Sequence, residues 1–181
     1  MRNAVLAGLL VALFVSGSAF AQQERDWDAV ELTIHHVAGD IYYLEGVGGN
    51  IGLSVGEDGI VMIDDQFAPL TERIVAAITE LNDGEIRFLI NTHVHPDHTG
   101  GNENLGKMGI AILANDRVRV RMVEEMRPEG GFPVLTFSDT TTVYLNGEEV
   151  YVFTVPPAHT DGDSFIHFRG ADVLHLGDVF R

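Results

Sequence analysis

Four side chains that can bind a metal ion lie within six consecutive residues of this sequence. They belong to the run His93-Val94-His95-Pro96-Asp97-His98. Neutral imidazole nitrogens suit zinc and iron, and a carboxylate oxygen can complete the ligand set. In an extended segment His93 and His95 point to the same side, so both can bind one ion. Because Pro96 favours a bend, Asp97 and His98 can turn toward a second ion.

Two residues further along the chain offer the same donor atoms. His159 lies in the segment 156–162, after a predicted strand, and Asp178 follows another apolar strand. Loops at strand ends are where a rigid scaffold usually presents functional side chains. We therefore count both residues among the candidate metal ligands.

In order and spacing, these residues resemble the metallo-β-lactamase superfamily of metallohydrolases. The resemblance rests on the His-x-His-x-Asp-His run after a strand, the single His159 downstream and the Gly-Asp pair that ends at Asp178. The Ile63-Asp64 strand end and the Gly100-Gly101-Asn102 segment also look like the family's. The resemblance covers residues 30–181. It implies a mixed α/β (α+β) fold, the αββα sandwich, with an incomplete second half.

The resemblance implies that His93, His95 and His159 bind a first metal ion. The expected cofactor is zinc, as one or two ions, with iron as the alternative. Since the chain contains no cysteine, thiolate ligands and thiol nucleophiles are excluded.

By the same resemblance, Asp97 and His98 bind a second metal ion and Asp178 is the carboxylate that bridges the two. Asp97 is also the candidate catalytic residue, because it can orient the attacking water and carry its proton. The bridging Asp178 and the lack of cysteine distinguish the chain from lactamases that use a Cys ligand. They favour the lactonase, glyoxalase and phosphodiesterase branches.

One family ligand of the second metal has no counterpart here. Family members usually supply another histidine after the bridging carboxylate, whereas this sequence ends at Arg181. His167 and His175 precede Asp178 on predicted strands, so neither matches that ligand. We expect either a fragment of a longer chain or a weak second metal site.

Three functions are compatible with this pattern. The first is a metal-dependent hydrolase that acts on an ester, lactone, β-lactam or related bond of a small-molecule substrate. The second is a mononuclear Fe(II) enzyme similar to persulfide dioxygenases, with His93, His159 and Asp178 as its ligands. The third is an inactive metal-binding fragment.

Hydrophobic periodicity and turn residues predict the elements that hold these side chains. Helices are predicted at 69–81 and 115–125, and the motif segment 92–101 is predicted to be a loop. Strands are predicted at 30–37, 40–45, 50–55, 59–63, 86–90, 110–113, 141–145, 149–155, 164–168 and 172–176, with antiparallel hairpins dominating.

The N-terminus has the pattern of an export signal. An arginine, a short apolar run and Ala19-x-Ala21 predict a cleaved signal peptide at residues 1–21, followed by a flexible segment at 22–29. A periplasmic or secreted location follows, with no stable membrane anchor after cleavage. The 27 acidic and 11 basic residues give a net charge of -16, which argues against a nucleic-acid partner. The oligomeric state is left open.

Overall fold

A computed structural model describes residues 25–180, which form two β-sheets and the helices packed against them. The strands are β1 Thr33–Ala38, β2 Ile41–Glu45, β3 Ile51–Gly56, β4 Gly59–Ile63, β5 Ile86–Asn91, β6 Ala111–Asn115, β7 Leu135–Phe137, β8 Thr140–Leu145, β9 Glu148–Thr154, β10 Ser164–Phe168 and β11 Val173–His175. The α-helices are α1 Thr71–Leu81, α2 Pro96–Thr99, α3 Asn102–Lys107 and α4 Asp116–Glu124. Single turns of 3-10 helix occupy Ala68–Leu70 and Glu129–Gly131.

The larger sheet has seven strands in the order β1-β2-β3-β4-β5-β6-β7. The pairs from β1 to β4 are antiparallel, and those from β4 to β7 are parallel. Every residue of β4 is buried, as expected for a strand covered on both faces. Because β4, β5 and β6 run parallel, their carboxyl ends meet at one edge, where the predicted metal ligands begin.

The smaller sheet is antiparallel, in the order β11-β10-β9-β8. It packs face to face on the larger sheet through an apolar layer between them. This layer consists of Ile41, Val61, Ile63, Ile90, Leu113, Phe137, Val150, Val152, Ile166 and Phe168. The alternation of buried and less buried residues along β10 follows from this one-sided packing.

Helices cover the outer face of the larger sheet. Ile74 and Ile78 of α1, one helical turn apart, are buried against a second apolar cluster that also contains Leu105 of α3. In α4, Val118 packs on the sheet, and the Asn115 side chain caps the helix by accepting from the backbone N–H of Arg117 at 2.8 Å. No α-helix follows β7 within residues 25–180, so the second half of the αββα sandwich is incomplete there.

The two sheets are also joined where a turn of each meets. Asn146, in the β8–β9 turn, accepts from the backbone N–H of Asp58 at 2.8 Å and donates to the Gly59 carbonyl at 2.8 Å. Asn146 has a φ of 57°, as the Asn-Gly turn requires. This contact links the smaller sheet to the β3–β4 turn of the larger one.

The structure corrects the sequence predictions in three places. The segment 92–101, predicted as loop, contains the helical turn α2 directly after His95. The helix α3 was missed because Leu105 is its only large apolar residue, so it shows no periodicity. Strand β7 was missed because three residues are too few for a pattern.

The N-terminal predictions fall largely outside the described residues. The predicted signal peptide at 1–21 lies beyond them altogether. Of the predicted flexible segment 22–29, Trp27 packs its ring on Phe67, with centroids 5.2 Å apart, and its carbonyl accepts from Arg73 at 2.7 Å. Between residues 25 and 180, no helix is long and apolar enough to cross a membrane.

Candidate metal centre

The ends of two neighbouring parallel strands position the first residues of the site. β4 ends directly before Asp64, and β5 is followed by Thr92 and His93. The Asp64 carboxylate accepts from the backbone N–H of Thr92 at 2.7 Å and from its hydroxyl at 2.7 Å. Asp64 therefore fixes the backbone immediately before the first histidine of the motif.

The rest of the motif is shaped by α2. The Thr99 hydroxyl donates toward the carbonyls of Val94 and His95, at 3.0 Å each. The backbone N–H groups of His98 and Thr99 both donate to the His95 carbonyl. Pro96 occupies the first position of this turn, where no N–H donor is needed. The turn brings His98 back beneath His93, with ring centroids 4.0 Å apart.

The structure brings His93, His95 and His159 together as a first group of donors. One nitrogen from each lies within 4.8 Å of the others. The Nδ1 atom of His95 is 2.9 Å from the Nε2 atom of His159. Nitrogens bound to one tetrahedral zinc at about 2.0–2.1 Å lie about 3.3 Å apart, so this spacing is close to that of a shared cation.

His93, His98 and Asp178 form a second group within the same distance limit. The Nε2 atom of His98 is 3.3 Å from an Asp178 oxygen and 3.6 Å from an Asp97 oxygen. The other Asp178 oxygen lies 3.6 Å from the Nε2 atom of His159. Asp178 therefore lies between the two groups, where a bridging carboxylate is expected.

The hydrogen bonds indicate which nitrogens are free to bind a cation. The single hydroxyl proton of Thr92 goes to Asp64, so Thr92 accepts from His93 Nδ1 at 2.9 Å. His98 Nδ1 faces Asp64 at 2.7 Å. The Nε2 atoms of His93 and His98 are buried and make no hydrogen bond within residues 25–180, and the Nε2 atom of His98 faces the Asp178 carboxylate at 3.3 Å. Buried polar atoms are normally satisfied, so these two nitrogens fit a bound metal ion.

Buried charges around His98 set the electrostatics of the site without metal. Burial by itself lowers the pKa of His98, but the carboxylates of Asp64, Asp97 and Asp178 raise that pKa to about 9. Burial also raises the pKa of Asp64, while the charge and hydrogen bond of His98 lower it to a net value below its usual range. Three carboxylates around one imidazole make a strongly cation-attracting pocket.

The pKa of His93 shifts in the opposite direction to that of His98. Burial and the nearby charge of His98 lower the pKa of His93 to about 4. A neutral imidazole is the form that binds metal, so His93 needs to lose no proton near neutral pH.

A glycine-rich loop between β2 and β3 covers the second group. A Cβ on Gly48 would lie 2.6 Å from the Asp97 Cβ, and one on Gly49 would lie 2.6 Å from His98 Nε2. Real Cβ atoms do not approach this closely, so main chain alone fits here. The side chain of Gln66 holds the loop by donating to the Gly49 carbonyl at 2.8 Å.

A cavity of about 780 Å³ opens beside the second group. Its polar lining includes Asp97, His98 and Asp178, and its aromatic lining includes Tyr42 and Phe180. Ligand sites are typically concave, with apolar walls and a few convergent polar groups.

The remaining histidines lie outside both groups. His35 faces Glu45 at 3.0 Å, and His36 faces the Gly39 carbonyl at 2.8 Å. His167 faces Asp172 at 3.2 Å, and the Nε2 atom of His175 is 3.2 Å from the Asn50 carbonyl. Sequence reasoning noted Asp64 as family-like but gave it no role, and it passed over Thr92. The available signal was a carboxylate directly after a wholly apolar strand.

The fold and the donor set together define a class of protein: a two-sheet sandwich that presents a histidine-rich candidate metal centre at its strand ends. The sequence profile of the metallo-beta-lactamase superfamily matches residues 44–181. The chain belongs to the metallo-beta-lactamase superfamily.

Similar proteins carry several names. Hydroxyacylglutathione hydrolase of Gloeobacter violaceus is 36% identical over 93 residues, which make up 50% of this chain and 33% of that protein. The alpha subunit of 2,4-dinitroanisole O-demethylase of a Nocardioides species is 23% identical over 159 residues, 85% of this chain and 48% of the subunit. The chain thus spans half or less of these relatives.

Solved structures of metallo-beta-lactamases share the fold. The enzyme from Pontibacter korlensis superposes with a TM-score of 0.73 at 18% identity, covering 80% of this chain and 70% of that one. The metallo-beta-lactamase IND-7 gives a TM-score of 0.72 at 16% identity, with 80% and 69% covered. These comparisons confirm the predicted fold and family.

Proposed function

We propose that the protein is a metal-dependent hydrolase in which His93, His95 and His159 hold one cation. Asp97, His98 and Asp178 hold a second. The observation that carries this proposal is the convergence of the three imidazole nitrogens of the first group within 4.8 Å of one another.

Zinc is the cation that this donor set favours. Imidazole nitrogens and carboxylate oxygens are zinc ligands at both structural and catalytic sites, and the chain offers no thiolate. When bound, the cation supplies water activation near neutral pH and polarises the bond under attack.

Asp97 is the residue we assign to proton transfer. Its carboxylate lies beside the cation groups, 3.6 Å from His98 Nε2, and its side chain is 27% exposed, so it can reach both the site and incoming water. There it would orient the attacking water through Oδ2 and receive its proton.

The substrate would enter through the 780 Å³ cavity next to Asp97 and Asp178. Its aromatic lining suits the apolar part of a small molecule, while its carboxylates disfavour an anion until cations are bound. The hydrolase name of the Gloeobacter relative supports hydrolysis as the reaction, and we propose an ester, lactone, β-lactam or related bond as the target. The predicted export signal makes a periplasmic or secreted location part of this proposal.

Hydrolysis by the zinc-loaded protein tests this function. We expect turnover of at least one member of a panel of esters, lactones and β-lactams, about two zinc ions per chain, and loss of turnover in His95→Ala. The matched control is His35→Ala, which removes a histidine from β1 without touching the site. Full turnover by His95→Ala would overturn the proposal, as would purified protein that carries iron and consumes oxygen.

A further inference from the structure

Asp163 is a buried carboxylate that bonds to the backbone of the loop carrying His159. Its residue is 3% exposed. One oxygen accepts from the backbone N–H groups of Ala158 at 3.3 Å, His159 at 2.8 Å and Thr160 at 2.8 Å. The other oxygen accepts from the Thr160 hydroxyl at 2.6 Å.

Asp163 and the next residue, Ser164, also join the base of the loop to the backbone before His93. The Asp163 carbonyl accepts from the backbone N–H of Val155 at 3.1 Å, which closes the base of the loop. Ser164 donates its backbone N–H to the Thr92 carbonyl at 2.9 Å. Two consecutive residues, Asp163 and Ser164, therefore connect the His159 loop to the backbone directly before His93.

Besides the Asp163 bonds, the loop contains a backbone bond from Ala158 to the Thr160 carbonyl at 3.3 Å and one from Gly162 to the Thr160 hydroxyl at 3.2 Å. Residues 155–163 connect β9 to β10 without regular secondary structure, and two of them are prolines that have no N–H to donate. Hydrogen bonds to an ionised carboxylate are about twice as strong as neutral ones. An aspartate carboxylate is ionised at neutral pH, so the acceptor is charged.

We infer that Asp163 is a positioning residue that holds the His159 ring against His93 and His95, so that the three imidazoles bind one cation. This role rests on the proposed metal site. Asp163 is not itself a member of either donor group. It acts through three backbone N–H groups and one hydroxyl.

The same loop provides a matched control. Asp161 is also an aspartate, but its carboxylate faces outward and pairs with Arg121 at 2.7 Å on the surface. Its side chain is 32% exposed. Asp161→Ala therefore removes the same charge from the same loop, together with its pair to Arg121, and leaves the Asp163 bonds in place.

Cobalt(II) titration of the metal-free protein, followed by visible absorption, tests the inference. We expect Asp163→Ala to weaken cobalt binding at the first group by about 10–100-fold and to change the shape of the visible absorption spectrum. In Asp163→Asn one amide oxygen can still accept the three N–H bonds, so we expect an intermediate loss. Asp161→Ala should match the wild type in affinity and spectrum.

Thermal unfolding of the metal-free variants distinguishes a change in His159 position from a loss of overall stability. If Asp163→Ala fails to fold, the cobalt titration of Asp163→Asn decides the outcome. Folded Asp163 variants with wild-type cobalt affinity and spectrum would overturn the inference and leave the proposed function standing. A wild-type chain that binds no cobalt would instead overturn the proposed function, and the inference with it.

Discussion

The Asp64 carboxylate and the His98 imidazole are in contact at 2.7 Å, with both side chains only 1% exposed. The same carboxylate accepts two hydrogen bonds from Thr92. Asp64 thus orients a ligand of the second group and the backbone before His93, which belongs to both groups. A metal-binding histidine commonly has such a partner on its other nitrogen, which fixes its tautomer and orientation.

Replacing Asp64 should weaken zinc binding at the second group more than at the first. In Asp64→Asn the amide nitrogen faces a donor that the carboxylate had satisfied, so we expect zinc affinity to fall about 10–100-fold. Competition with a chelator of known affinity measures the change. Asp83→Asn, an exposed carboxylate after α1, is the control. Equal zinc affinity in Asp64→Asn and wild type would show that His98 does not depend on Asp64.

The glycine loop over the second group should not tolerate a side chain. In Gly49→Ala the new Cβ would press on the His98 ring, so we expect an overpacking cost of about 1–3 kcal/mol and loss of the second zinc ion. Gly130→Ala is the matched control, because the nearest atom to its Cβ, on Glu103, is 3.5 Å away. Metal analysis and urea unfolding give both quantities, and two retained zinc ions in Gly49→Ala would contradict the packing described.

The turn contact between the two sheets should affect stability but not metal binding. Asn146→Ala loses two side-chain hydrogen bonds and places alanine at positive φ, for an expected loss of about 1–3 kcal/mol in unfolding free energy. Asn146→Gly keeps the φ accessible and removes only the hydrogen bonds, so it should lose less. Urea unfolding ranks the variants, and equal losses would show that backbone strain contributes nothing.

Asp65 predicts a pH dependence of stability in the metal-free protein. Its Oδ2 atom is buried with no hydrogen-bond partner in residues 25–180, and burial raises the pKa of this carboxyl well above its usual range. Because the folded-state pKa is the higher one, the stabilisation is complete below the unfolded-state pKa and is lost as pH rises through the folded-state pKa.

The side chain in Asp65→Asn does not titrate, so the variant lacks this pH dependence. Relative to wild type, the variant should therefore be more stable at about pH 8 than at about pH 4. Urea unfolding at both pH values measures this difference, and Asp139→Asn at the surface reports the effect of net charge alone. A difference that stays constant with pH would contradict a neutral buried Asp65.

Much of this architecture was predictable because apolar spacing and turn residues, which are local in sequence, determine it. The apolar spacing of α1 and the Asn146-Gly147 turn specify their elements directly, and the histidine motif pointed to the donors that the structure gathers. The parallel pairing of β4 to β7 was not predicted, since periodicity does not report which strands are neighbours.

The contacts that support the site were also not predictable from the sequence. The bonds from Asp64 to His98 and from Asn146 to Asp58 join residues far apart in sequence. The Asp163 contacts are local, but a carboxylate four residues after a histidine looks like any polar loop residue. The burial of its side chain and its bonds to the loop backbone distinguish it only in the folded structure.

Zinc X-ray absorption of the metal-loaded protein tests most directly whether these side chains meet at a metal ion. The account predicts tightly held zinc with nitrogen and oxygen ligands at about 2.0–2.1 Å, strong imidazole scattering and a lower imidazole count in His159→Ala. Zinc lost on dialysis, or a ligand shell without imidazole, would contradict it.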